Sequence, residues 1–131
     1  MIFVDTGAWF ANVVAGDARH LAASTWFSAN NTLLVTSDYV IAETLTLLRA
    51  RGQASLAISF GETLVSTELA SIEYVSEQDF EQAWQIFRDY DDKAWSFTDC
   101  TSKVVMERLG IKTAFAFDQH FRQFGSVDVV P

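Results

Sequence analysis

One cysteine, Cys100, one proline, Pro131, and six glycines among 131 residues leave this chain few of the devices on which small secreted or irregular domains depend. A lone thiol makes no internal disulfide, so stability has to come from an apolar core, and a reducing cytoplasm is the expected location. The N-terminus lacks the basic start and long apolar run of a secretory leader. The run Leu33-Leu34-Val35 falls far short of the ~20 residues that cross a bilayer, and no other stretch comes near, so no membrane role is expected. No Ser/Gly-rich stretch, charge block or repeat interrupts the chain, which predicts a single domain over residues 1–131. Positive charge is scarce as well: nine Lys and Arg stand against 17 Asp and Glu, for a net charge of −8. That balance opposes nonspecific attraction to a polyanion, so any action on nucleic acid needs bound cations or a partner; taken alone, it serves solubility.

What is abundant is apolar surface. Half of the residues are hydrophobic and 14% aromatic, enough to build a core in a domain that buries roughly two-thirds of its unfolded surface. Ile2-Phe3-Val4 reads as a short buried strand, and Ala8, Trp9, Phe10, Ala11 and Val13 as the helix after it. Asp17 is expected to cap a second helix that runs to about Phe27, before a strand at Leu33 to Val35. Ser37 opens a helix with the apolar arc Val40, Ile41, Leu45, Leu47 and Leu48, and Gly52 stops it. A further amphipathic helix is predicted from 53 to about 67, carrying Leu56, Ile58, Phe60 and Leu64, then a strand through Ile72, Tyr74 and Val75.

Ser76 and Asp79 have capping-box spacing, and Phe80, Ala83, Trp84 and Phe87 then recur at helical intervals, which predicts a helix packed on the core through these aromatics. Asp91 and Asp92 suit a polar surface turn. Ser96 or Thr98 caps a helix ended by Arg108 and Gly110. A strand over Lys112 to Phe117, a short helix over His120 to Phe124 and a last strand over Val127 to Val130 complete the chain. Strands separated by helices predict an α/β domain: a central parallel sheet of four to five short strands with helices on both faces.

In such sheets, functional groups gather beyond the carboxyl ends of the strands. Asp5 and Asp118 fall at that edge, and Asp99 lies in the first turn of a helix on the same side, where amide dipoles favour a carboxylate. Glu43 lies on the flank of an apolar arc, where an unpaired acid is costly. Each has a plain structural alternative: caps for Asp5 and Asp118, a dipole partner for Asp99, a boundary residue for Glu43. Gathered in one crevice they would repel one another unless a cation compensated, and an all-oxygen set suits Mg²⁺ or Mn²⁺, ions that assist phosphodiester hydrolysis. His120 reads as a bystander on a short surface helix, and Cys100 as a small core residue, since no histidine is placed to activate it.

Four segments, in order and across nearly the whole chain, resemble the PIN-domain nucleases of the VapC toxin type: FVDTGAWFA from Phe3, VIAETLTLL from Val40, SFTDC from Ser96 and AFAFDQHFRQFG from Ala114. The resemblance implies a PIN domain and a metal-dependent endoribonuclease acting as the toxin of a type II toxin-antitoxin pair. It implies that Asp5, Glu43, Asp99 and Asp118 form the acidic quartet that catalyses and holds Mg²⁺ or Mn²⁺, with Thr6 and Thr98 as flanking hydroxyls that orient a carboxylate or a water. Its partners would be RNA, a cognate antitoxin and a second copy of the chain. The apolar helix near Leu56, Phe60 and Leu64 is the expected dimer surface, and the acidic crevice would draw a basic antitoxin segment.

Other readings of the residues are a Mg²⁺-binding phosphoacceptor domain and a PIN-like scaffold that binds without catalysis. Against the first, Asp5 has no acidic neighbour and Val127 to Pro131 holds no lysine; the same missing second Asp speaks against an Asp-x-Asp phosphatase. The intact quartet speaks against an inactive scaffold.

Overall fold

The computed structural model describes residues 1–66 and 69–131. Five strands, β1 Ile2–Val4, β2 Leu34–Ser37, β3 Ser71–Glu73, β4 Thr113–Phe115 and β5 Asp128–Val130, form one sheet in the order β3-β2-β1-β4-β5, with every pairing parallel. Among the described residues the α-helices are α1 Thr6–Val13, α2 His20–Ala29, α3 Asp38–Ala50, α4 Ala54–Ser66, α5 Glu77–Asp89 and α6 Phe97–Leu109, and a 3-10 turn spans Phe121–Phe124. No helix among the described residues is long and apolar enough to cross a membrane.

The chain moves from β1 outward to β2 and β3, then returns past β1 to β4 and β5. Because parallel crossovers are right-handed, this reversal places the helices before β3 and those after it on opposite faces. It also puts the topological switch point between β1 and β4, where a crevice opens beyond the carboxyl ends of the strands. Phosphoacceptor domains of the flavodoxin-like kind run in the order 2-1-3-4-5, so the observed order removes that rival reading.

The centre of the core is aromatic. Trp9 stacks on Phe27 with ring centroids 5.2 Å apart, and Phe115 meets Phe27 at 5.0 Å and Trp26 at 4.3 Å. The Trp9 indole N–H donates to the Thr36 hydroxyl (3.2 Å), which itself donates to the Val4 carbonyl (3.1 Å). This buried chain ties α1, β2 and β1 together and leaves none of its members unsatisfied.

Most expected elements are present, with strands cut to three or four residues. Lys112 and Phe117 flank β4 rather than belong to it, and β3 ends at Glu73, before Tyr74 and Val75. Position 67, the expected end of α4, lies outside the described residues. Asp17 does not cap α2: its Oδ1 accepts from the Arg19 N–H at 2.8 Å, and the helix begins at His20. Gly110, at φ 67°, ends α6 in the left-handed conformation that glycine tolerates best.

Two expectations about helix faces are overturned. In α5 the buried residues are Asp79 and Ala83, while Phe80, Trp84 and Phe87 are 46%, 51% and 42% exposed. Arg108 explains the inversion. Its guanidinium binds Asp79 through Nε–Oδ1 (3.0 Å) and Nη2–Oδ2 (2.9 Å), so α5 packs on α6 through this bidentate pair, and its aromatics stay half-exposed, with Phe80 and Phe87 edging onto Phe97 of α6 at 5.0 and 6.0 Å. In α4, Phe60 and Leu64 are buried in the core and Leu56 is half-buried, so the expected dimer surface is an interior face; Ile58 and Val65 point outward instead.

Candidate active site

Asp5 follows β1 directly, and its N–H donates to the Phe115 carbonyl at 3.1 Å, which fixes it against β4 at the switch point. Its backbone has N-cap geometry for α1, yet its side chain makes no capping bond. The carboxylate is 3% exposed, and Oδ1 has no hydrogen-bond partner among the described residues. Burial, above all, raises its pKa well above the usual carboxylate range; the charges of Asp99, Asp118 and Glu43 push the same way, against a smaller opposing effect of the Thr6 backbone N–H. Thr6 itself carries a buried hydroxyl without a partner among the described residues.

Asp99 is placed by a capping box. The Ser96 hydroxyl accepts from the Asp99 N–H (3.0 Å), and Asp99 Oδ2 accepts from the Ser96 N–H (2.9 Å), which locks the carboxylate at the start of α6. Ser96, not Thr98, is therefore the cap. Burial raises the Asp99 pKa, partly opposed by the Ser96 N–H and His120 and reinforced by Asp118.

Asp118 lies past β4 with an exposed side chain; its Oδ1 accepts from the His120 N–H at 2.9 Å. That tight turn folds His120 back into the crevice. His120 Nδ1 lies 2.8 Å from Asp99 Oδ2 and 3.8 Å from Asp118 Oδ2, the ring N–H donating to Asp99. His120 thus lies in the crevice rather than on the open surface, and together with Asp99 and Asp118 it offers three ligand atoms within 4.8 Å of one another. The signal was the Asp-x-His spacing, which lets an aspartate accept from the backbone two residues on and reverse the chain.

Glu43 approaches from α3, half-buried, and lines an apolar groove of about 770 Å³ with Tyr39, Leu47 and Thr98. Thr98 is thereby near Glu43, while its carbonyl accepts from the Thr101 hydroxyl at 2.7 Å. Cys100, next to Asp99, is fully buried in the core as expected; burial, followed by the Asp99 charge, pushes its thiol up to about 11. It is no nucleophile.

The charges of Asp99, Asp118 and Glu43 all act on Asp5, but among the described residues only Asp99, Asp118 and His120 bring ligand atoms within 4.8 Å of one another, and Glu43 stands at the edge, in the neighbouring groove. An orphaned buried carboxylate oxygen, an orphaned hydroxyl beside it and mutual repulsion among the acids are what a compensating cation relieves, and the donor set of oxygens with one imidazole fits a hard divalent ion.

An α/β sheet with an acidic crevice at its switch point is compatible with divalent-metal binding, and the sequence comparison makes the class specific. The PIN domain family profile matches residues 2–127, and the chain belongs to that family. It is similar to the 23S rRNA-specific endonuclease VapC20 of Mycobacterium tuberculosis, with 40% identity over 131 residues, covering 100% of this chain and 99% of that relative. The crystal structure of M. tuberculosis VapC20, described as a sarcin-ricin loop cleaving toxin, superposes with a TM-score of 0.93 over the full length of both chains at 37% identity. FitAcB from Neisseria gonorrhoeae shares the fold, with a TM-score of 0.71 at 14% identity, covering 100% of this chain and 97% of that one.

Proposed function

We propose that this chain is a cytoplasmic metal-dependent endoribonuclease, the toxin of a type II toxin-antitoxin pair, with residues 1–131 acting as one PIN domain and 23S ribosomal RNA as its substrate. The observation that carries this reading is the buried Asp5 carboxylate, its Oδ1 without a hydrogen-bond partner among the described residues, under the charges of Asp99, Asp118 and Glu43 at the switch point of the sheet.

Asp5, Glu43, Asp99 and Asp118 are the catalytic acids and would hold Mg²⁺ or Mn²⁺. When bound, the ion would supply charge neutralisation for the acids and the phosphate, polarise phosphate oxygens and lower the pKa of an attacking water. The chain's own residues prepare the crevice. The Ser96 N–H and the α6 dipole favour the ionised form of Asp99, His120 fixes the orientation of that carboxylate, and Thr6 and Thr98 stand beside acids as hydroxyls able to orient a carboxylate or a water.

A basic segment of a cognate antitoxin fits the same crevice, since an arginine reaching the carboxylates competes with the cation. A homodimer belongs to this reading too, and the exposed aromatics of α5 support a surface there. Phe80, Trp84 and Phe87 at their observed exposures leave roughly 300 Å² of aromatic surface, over a third of the ~800 Å² per partner in a standard interface.

Incubation of the purified protein with 23S rRNA, followed by mapping of the new RNA ends, tests the function. Cleavage should require Mg²⁺ or Mn²⁺, stop in EDTA and return on replenishment. Undiminished cutting in excess chelator, with trace metal excluded, overturns the metal-dependent reading.

A further inference from the structure

A chain of net charge −8 has to hold RNA with very few cations, so where those cations are committed is informative. Of the nine Lys and Arg residues, four are spent within the fold: Arg88 on Asp89, Lys93 on Asp92, Lys103 on Glu107, and Arg108 on Asp79 and Glu73. Arg19, Arg49, Arg51, Lys112 and Arg122 make no ion pair among the described residues. Lys112 precedes β4, at the amino edge of the sheet and away from the crevice.

Arg19 and Arg51 come from different parts of the chain, the turn before α2 and the end of α3, yet they line one groove of about 280 Å³ together with Gly7 and Asp118. Each guanidinium rests on an aromatic ring. Arg19 lies 5.1 Å from the centroid of Phe117, the residue before Asp118, and Arg51 lies 5.8 Å from that of Phe10, which α1 positions one turn beyond Thr6. Asp17 also lines the groove, but its Oδ1 is engaged by the Arg19 backbone N–H, which sets the conformation of the turn.

Stacking on a ring holds a guanidinium by its face and leaves its N–H edge free, the edge that binds a phosphate in bidentate fashion. We infer that Arg19 and Arg51 form a phosphate clamp that holds the RNA backbone beside the scissile position, seating the strand in the groove that opens onto Asp118. The inference rests on the endoribonuclease reading above and names how that site holds its substrate. The two arginines are positioning residues. They fix the register of the strand and leave the chemistry to the acids.

The test is steady-state cleavage of a synthetic RNA hairpin carrying the sarcin-ricin loop, with Mn²⁺ present and monovalent salt varied, for the parent and for Arg19→Gln, Arg51→Gln, the double variant, Arg51→Lys and the control Lys112→Gln. Each lost contact should flatten the dependence of log(kcat/KM) on log[salt] by ~0.7, the single-strand value for one phosphate, and the double variant by about 1.4. KM should rise about tenfold per single substitution at low salt while kcat stays within about threefold, in line with lost uniform binding. Arg51→Lys should retain most of the salt slope, and Lys112→Gln should behave as the parent. Melting temperatures and Mn²⁺ binding should match the parent throughout, which separates a substrate contact from a structural role.

A parent-like slope in the double variant, or a fall in kcat at unchanged KM, overturns the clamp and leaves the nuclease reading standing. Failure of the parent itself to cut RNA with Mg²⁺ or Mn²⁺ removes both.

Discussion

Replacing Asp5 by Asn keeps the size and shape of the side chain and removes one charge from a site that is 3% exposed and shared with three other acids. Ionisation there is opposed by burial first and by like charge second, so without a cation the folded state has to hold a carboxylate that the unfolded chain solvates freely or take up a proton that the unfolded chain releases, and either lowers stability at neutral pH. The effective cost of burying an uncompensated ion is several kcal/mol, while an amide that inherits the orphaned position costs about 1–3 kcal/mol. The difference favours the variant by about 1–2 kcal/mol in the metal-free protein at neutral pH, a rise in Tm of roughly 4–8 °C for a chain of this length.

The sign has a pH signature. Because the folded pKa of Asp5 is raised, the native state binds more protons than the unfolded state between the ordinary carboxylate value, ~4, and the raised one. The parent therefore loses stability as pH rises through that window and has lost the full amount above it. Asp5→Asn lacks this loss, so the two Tm curves should converge at the acid end and separate toward neutrality. Saturating Mn²⁺ should raise the Tm of the parent and close the gap, with little effect on the variant, while RNA cleavage by the variant falls about a hundredfold or more. Calorimetry at several pH values, with EDTA or Mn²⁺, reads all of this. A variant that melts below the parent at every pH and gains as much from Mn²⁺ would show that Asp5 is a structural acid.

Three further outcomes are expected. Arg108→Met strands the Asp79 carboxylate, which burial alone would raise but which the Arg108 and Ser76 hydrogen bonds hold below its ordinary value; with Arg108 itself 40% exposed and solvent-screened, the loss is about 2–3 kcal/mol, or roughly 10 °C in Tm. That contribution is present above pH ~4 and is lost as pH falls through the depressed native value, so the parent's acid limb should shrink in the variant, as chemical denaturation across pH 2–7 would reveal. His120→Ala frees Asp99 from its 2.8 Å partner and should lower cleavage about 10- to 100-fold at full Mn²⁺ occupancy, whereas parent-like turnover would return His120 to the role of bystander. Trp84→Glu places a charge in the centre of the α5 aromatic face and should convert a dimer to a monomer in sedimentation; a dimer that survives it uses another surface.

The site and the fold were legible in the sequence to different depths. Apolar runs that stop at an aspartate, as Val4 does at Asp5, announce both a strand and what stands beyond it, and the Ser76 to Asp79 spacing announced α5 correctly. The same spacing recurs at Ser96 to Asp99, where the carboxylate completes a capping box and also faces the crevice. Which face of α5 is buried could not be read from its own pattern, because Arg108, 29 residues past Asp79, decides it through a pair that only tertiary contact creates. His120 was hidden for a similar reason: its role depends on a backbone reversal at Asp118. Phe60 and Leu64 show the converse case, an apolar stripe that suggested a protein partner and found its partner within the chain.

The brevity of the strands bears on how this protein tolerates change over generations. β1 has three residues, each paired with β4 from Ile2↔Thr113 to Val4↔Phe115, and Asp5 follows at once. A strand this short has no spare register: deleting one residue from it would either pull Asp5 into the ladder or turn every side chain of β1 to the opposite face. Insertions in the turn between α1 and α2, by contrast, leave all five pairings untouched. In a pool of random single-codon insertions and deletions scored for RNA cleavage, changes within β1 and β4 should therefore abolish activity even where the new residue is apolar, and changes around Ala15 and Gly16 should retain turnover.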